Sequence, residues 1–189
     1  MTPGRFMNRP YNLFCACASK DVELLAWHNA MAMASAASSG FGLIEADRSN
    51  YRLITCGAIT TPAGMDFSAR LEIIYEDMRK LLAETKPDAV AIEELFFGQN
   101  VTTGIGVAQS RGVILLAIRQ AGLEVTSYKP AQIKQSLVGY GNATKHQMMD
   151  MTKRLLKLNA MPKPDDAADA IAIAICHARS STSLLAQVR

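Results

Sequence analysis

The sequence predicts an α/β fold in which a mixed sheet is covered by helices on both faces. Three observations predict it. Ala89-Val90-Ala91-Ile92 is a short, wholly apolar run, as expected of a strand buried on both sides. Phe41-Gly42-Leu43-Ile44 and Tyr51-Arg52-Leu53-Ile54-Thr55-Cys56-Gly57-Ala58-Ile59 flank the polar turn Asp47-Arg48-Ser49-Asn50 and read as a hairpin. Segments of helical period separate these strands, the alternation that builds sheets flanked by helices. In order, Phe67, Leu71, Ile74, Met78, Leu81 and Leu82 recur at helical spacing behind Asp66 as N-cap, and Lys86-Pro87-Asp88 ends that helix. A second helix runs from about Val101 to Ala121 and stops at Gly122. Leu123–Tyr128 is a further strand, closed by Pro130. Thr144-Lys145-His146-Gln147 fits a capping box. The helix it opens carries Met148, Met151, Leu155 and Leu158 on one side and its basic residues on the other. The last helix begins near Asp165 and is rich in alanine and isoleucine, side chains that allow close packing on a sheet.

The 189 residues are 49% hydrophobic and 20% charged, which suits one domain with a sizeable core and excludes a disordered chain. No apolar run is long enough to span a bilayer. Cys15, Cys17, Cys56 and Cys176 lack CxxC spacing, which argues against a disulfide scaffold or zinc knuckle and for a reducing cytoplasm. Charge is uneven. Lys129 to Lys163 holds seven Lys/Arg and the single acid Asp150, net +6 in a chain whose total is +3. A basic segment beside an acidic remainder fits either a polyanion partner or a solvated helix face. Residues 1–39 are compositionally biased, with the run Ala30–Ser39 of alanine, methionine and serine. Arg5, Arg9 and Lys20 allow a transit-like reading, but Asp21 and Glu23 break a secretory core.

Two acidic features could carry chemistry. Glu93 follows the buried run directly, at the strand end where open α/β sheets place ligands. Its structural alternative is a buried ion pair or a charge reaching solvent. Asp165, Asp166 and Asp169 open the last helix. Asp166 and Asp169 share a face at i,i+3, and Asp165 nearly does. Acids suit a first turn, which explains one or two of them. Three within five residues repel unless a cation lies between, and hard oxygen ligands are what Mg²⁺ or Mn²⁺ prefers. Two such ions about 3.5–4 Å apart can stabilise both oxygens of a phosphodiester displacement. Phe96-Phe97, followed by Gly98-Gln99-Asn100, offers either a base-stacking ring or a core residue. Gly104-Ile105-Gly106 is too short for a phosphate loop. His28, His146 and His177 lack ligand spacing and are given no metal role.

Four segments together resemble the RuvC-type Holliday junction resolvases. They are Ala91-Ile92-Glu93-Glu94-Leu95-Phe96, Gln109-Ser110-Arg111-Gly112, Pro130-Ala131-Gln132-Ile133-Lys134-Gln135 and Asp166–Ala174, in order over about three quarters of the chain from Gly40 to Ser180. The resemblance implies a ribonuclease-H-like, mixed five-stranded sheet. It also implies a homodimeric, Mg²⁺-dependent endonuclease that nicks two strands of a four-way junction symmetrically in recombinational repair, with two ions per active site and Mn²⁺ as a substitute. A branch-migration motor is the implied partner complex. Glu93, Asp166 and Asp169 match three of the family's four metal-binding acids, a choice of Asp166 over Asp165 that spacing leaves open. Phe96 matches an aromatic that meets unstacked bases, Lys134 a basic residue near the DNA, and Arg111 a motif near the junction surface.

The N-terminus departs from that pattern. The family opens with a central strand ending in Asp-Pro-Gly, whose Asp is the fourth ligand. Counting back from Gly40, this acid should fall near Met33, where the sequence has no carboxylate. The first strand is therefore doubtful. Residues 1–39 are read as an atypical segment, disordered or produced by a frameshift or wrong start, before a domain at 40–180 and a tail at 181–189. Two rivals follow: an inactive junction-binding homologue, and a helix-turn-helix-like module over residues 130–158 around Gly139-Tyr140-Gly141-Asn142.

Overall fold

A computed structural model describes residues 22–28, 38–47, 50–62, 64–94 and 101–187. Among them the elements are β1 (Val22–His28), β2 (Ser38–Asp47), β3 (Asn50–Thr60), α1 (Phe67–Thr85), β4 (Ala89–Glu93), α2 (Val101–Gln120), β5 (Val125–Tyr128), α3 (Pro130–Val138), α4 (Lys145–Leu155) and α5 (Asp165–Gln187). The strands form one five-stranded sheet in the order β3-β2-β1-β4-β5. The pairs β1–β2 and β2–β3 are antiparallel, whereas β1–β4 and β4–β5 are parallel, so the sheet is mixed as expected.

The first strand corrects the sequence reading. The central position is filled, and by Val22–His28 rather than by residues around Met33, which lie outside the described residues. Leu25 sits between Leu43 on β2 and Val90 on β4 in register. Pairing with β2 on one edge and β4 on the other satisfies the backbone N–H and C=O groups of this run. The sheet thus starts upstream of Gly40, β2 itself begins at Ser38, and α5 continues past Ser180 to Gln187.

Two cores lie on the two faces. One joins Phe41, Leu43 and Ile59 with Val90, Ile92, Ile74, Met78, Ile114 and Ile118, under α1 and α2. The other joins Ile44, Ala91 and Tyr128 with α3, α4 and α5 through Ile133, Leu137, Met148, Ile171, Ile173 and Ile175. Side chains alternate along a strand. Val90 and Ile92 therefore serve the first core and Ala91 the second, and Glu93 falls on the second face with Ala91. Residues 170–178 of α5 are buried without interruption, the mark of a helix enclosed on every side.

Close approach of α5 to β2 depends on two glycines. A Cβ at Gly40 would stand 2.1 Å from the carbonyl oxygen of Asp166 and 2.8 Å from the Ala167 nitrogen; one at Gly42 would stand 2.9 Å from the Ile171 nitrogen. The acidic first turn of α5 is thereby seated directly on the sheet. Expected caps form as well. Asp66 accepts hydrogen bonds from the backbone N–H groups of Ser68 and Ala69, at 3.0 and 3.3 Å. Thr144 N–H donates to Gln147 Oε1 at 2.9 Å, and Gln147 N–H returns to Thr144 Oγ1 at 3.3 Å. Helices α3 and α4 bury Ile133, Leu137 and Met148 in the core they share with α5. A free-standing helix-turn-helix would keep its own core; these two helices are part of the larger domain.

Candidate active site

Glu93 is the last residue of β4, and Glu94 N–H donates to the Tyr128 carbonyl at 2.8 Å just beyond it. Its side chain, half-buried, opens into a cleft of about 210 Å³ between the sheet end and helices α3, α4 and α5. Glu93, Lys134, Lys145 and Asp169 all line this cleft, on a floor of Ile133, Met148, Ala172 and Ile173. Two carboxylates and two ammonium groups from four separate elements therefore meet at one place. A β strand and a helix supply the acids, and α3 and α4 supply the bases.

The three aspartates of α5 divide. Asp169 lines the cleft and is half-buried, while Asp165 is exposed. Asp166 is half-buried, with its carbonyl against Gly40, and does not form part of the cleft wall. Lys145 Nζ lies 3.2 Å from Asp165 Oδ2 and 3.4 Å from Asp169 Oδ2. Burial works against the charge on Lys145, but Asp169 and Asp165 outweigh it and leave its pKa raised. The ammonium is thus charged throughout the neutral range and sits as a cation against the acids. Sequence reading counted Lys145 only as one of the basic residues of 129–163. Its pairing with Asp165 and Asp169 comes from the packing of α4 against α5, which linear spacing does not reveal.

The remaining site candidates separate. Lys134, which the resemblance matches to a basic residue near the DNA, lines the cleft. Arg111 does not. Its guanidinium donates to Ser127 Oγ at 3.1 Å, and Ser127 pairs with Ile92, so Arg111 reaches the sheet on the face opposite Glu93. Phe96 lies outside the described residues. Next to the cleft, Tyr128 is in register with Glu93 and its hydroxyl shares a 2.9 Å hydrogen bond with His177 Nδ1. Burial raises the Tyr128 pKa and lowers that of His177, so both stay neutral near pH 7. This buried pair ties the end of β5 to α5.

Among the described residues, no three His, Cys, Asp or Glu side chains stand close enough together to hold a metal ion alone. The donor set nevertheless fits a hard divalent cation. Such ions keep several waters and take one or two carboxylates plus substrate phosphates. Glu93 and Asp169 provide those two carboxylates in one cleft, and the Lys145 ammonium against Asp169 shows that the cleft attracts positive charge.

Known proteins resemble this chain in sequence and in fold. A sequence model of the family described as crossover junction endodeoxyribonuclease RuvC matches residues 34–177. The chain is 50% identical over 148 residues to the crossover junction endodeoxyribonuclease RuvC of Chloroflexus aurantiacus, covering 78% of this chain and 90% of the relative. It is likewise 50% identical over 141 residues to that of a Roseiflexus species, covering 75% and 84%. Among solved structures, Thermus thermophilus RuvC superposes with a TM-score of 0.76 at 29% identity, over 85% of this chain and 96% of that one. The same protein in complex with a Holliday junction substrate gives 0.78 at 28% identity, over 86% and 96%.

Proposed function

Because the chain belongs to the RuvC family of crossover junction endodeoxyribonucleases, we propose that it binds four-way DNA junctions and nicks two of their strands symmetrically, by metal-assisted hydrolysis, in recombination and repair. The observation that carries this reading is the cleft shared by Glu93, Asp169, Lys134 and Lys145. Carboxylates alone would repel a phosphodiester, and ammonium groups alone would bind it without chemistry. Both together fit a backbone phosphate held at a cation site.

Glu93 and Asp169, with Asp166 in the adjoining turn, would hold Mg²⁺, or Mn²⁺ in its place. When bound, the metal activates water and stabilises the departing 3′ oxygen. The protein's own groups do the positioning. Glu93 stands at the end of a buried strand, and Asp169 immediately before the buried run of α5, so both backbones are held by the core. Lys134 and Lys145 neutralise the phosphate and fix the strand along the cleft. Their long range and the net +6 of residues 129–163 make binding salt-sensitive. Phe96, which the resemblance matches to an aromatic that meets unstacked bases, would stack on an unpaired base of the junction, and Arg111 belongs to a motif near the junction surface.

Symmetric nicking of a two-fold junction calls for two sites related by a two-fold axis, hence a homodimer. Helix α2 carries Ile105 and Leu116 at 55% and 53% exposure, with exposed Gln109 and Gly112 between them, and this face is the surface we assign to the second copy. A branch-migration motor would act on the same DNA. No carboxylate stands near Met33, where the family's first acid should fall, so cleavage in Mg²⁺ is expected to be weak while junction binding is retained.

The test compares four-way with linear DNA of the same sequence, with and without divalent metal. Junction-selective binding without metal, plus paired nicks only with metal, supports the reading. Equal affinity for linear duplex, or nicking that ignores structure, overturns it.

A further inference from the structure

Helix α3, which carries Lys134, is only nine residues long, too short to be stable by itself. The last carbonyls of any helix lack partners within it. At the end of α3, Gly139 N–H takes the Gln135 carbonyl at 2.9 Å. The next two carbonyls, of Ser136 and Leu137, accept from Nη1 of Arg179 on α5, the second at 3.5 Å. A guanidinium there also suits the negative end of the helix dipole. Arg179 has a defined place on α5. Asp169, Ala172, Cys176 and Arg179 follow one another at intervals of three or four and so share one side of the helix. Asp169 and Ala172 line the cleft. Cys176 Sγ lies 4.0 Å from the Gln132 carbonyl in the first half of α3, and Arg179 meets its last turn. Helix α3 therefore lies along this side of α5, with the cleft toward one end and Arg179 at the other. The buried run of α5 ends at Ala178, and Arg179 is the half-buried residue that follows.

We propose that Arg179 is a positioning residue for junction cleavage: it clamps the end of α3 to the helix that carries Asp169 and so fixes Lys134 relative to Asp169 across the cleft. The inference rests on the nuclease reading above and adds to it the group that holds the phosphate-binding lysine in place. Ile133 and Leu137 keep α3 against the core, but apolar contact has no direction and allows a short helix to slide or roll. Hydrogen bonds from a cation to two carbonyls are directional and stronger than neutral ones. The clamp matters because a displacement of about 1 Å can cost about 100-fold in the rate of a positioned reaction. Arg179 does not itself line the cleft; its effect on DNA passes through Lys134.

Affinity of the full chain for a four-way junction is measured against salt without metal, and thermal scans establish that each variant is folded. Lys134→Gln should lower the slope of log affinity against log salt by about 0.9. Arg179→Met keeps the aliphatic stem, removes the donors, and is expected to lower the slope by a similar amount. Residues that act through one another are not additive, so the double variant should lose no more than Lys134→Gln alone. This pattern supports the clamp, since a residue that only stabilised the fold would lower Tm and leave the slope. A folded Arg179→Met with an unchanged slope overturns the inference. So does a double variant that loses twice as much, because Arg179 would then meet the DNA on its own account. If Lys134→Gln leaves the slope unchanged, the phosphate reading of the cleft fails, and the inference fails with it. Should Arg179→Met not fold, Arg179→Gln, which keeps an N–H donor on a shorter arm, is judged by the same outcomes.

Discussion

Glu93→Gln keeps the shape of the side chain and removes its charge, so it isolates what the carboxylate does. Metal-dependent nicking should disappear while junction affinity stays within a factor of a few, because the phosphates are held by lysines. Gel-shift and nicking assays on one preparation check both halves. Retained nicking would remove Glu93 from the chemistry. Lys134 and Lys145 should act in the complementary way. Each replacement by Gln should reduce the slope of log affinity against log salt by about 0.9, with cleavage falling in step with occupancy. Lys145 has a second part to play. It holds Asp169 and Asp165 across the mouth of the cleft, but at 52% exposure this pairing adds little to stability.

Helix α5 brings the site together. Its first turn rests on β2 only because residue 40 has no side chain, and Gly40→Ala would drive a methyl group into the backbone of Asp166. Overpacking of this kind costs about 1–3 kcal/mol, and here the strain is relieved by lifting the acidic turn off the sheet. The expected result is a lower Tm, by roughly 2–4 °C per kcal/mol for a domain of this size, together with a larger loss of cleavage than of junction binding. Denaturation scans and nicking rates check it. The cap of α4 is a milder case. Thr144→Ala removes the Oγ1 that accepts from Gln147 N–H and should cost about 1 kcal/mol, while loosening the position of Lys145 one residue on.

Folding stability should depend on pH through the pair that joins β5 to α5. Burial holds the His177 pKa below its ordinary value near 6.5, so the folded protein resists the proton that the unfolded chain accepts. The unfolded state then binds more protons as pH drops below about 6.5, and stability falls with it. Above that pH the contribution is fully present. Replacing His177 with Gln should flatten the decline of Tm between about pH 6.5 and 5, measured against the unaltered protein under the same conditions.

Much of this architecture is legible in one dimension. The apolar run before Glu93 identified a strand with two covered faces, the helical spacing of α1 located its core side, and Asp66 and Thr144 marked helix starts that the structure reproduces. Local backbone preference and side-chain period determine such features, and both are written in neighbouring residues. The central strand was not legible. Counting back from Gly40 assumed a fixed loop length and pointed to Met33, whereas pairing with two neighbours selected Val22–His28. The cleft was half legible: Glu93, Asp169 and Lys134 were named from sequence, but Lys145 joined them and Arg111 went to the other face. Membership of a strand or helix follows from short-range patterning. Which strand lies beside which, and which charged groups then face each other across the space between elements, depends on register and packing between residues far apart in the chain.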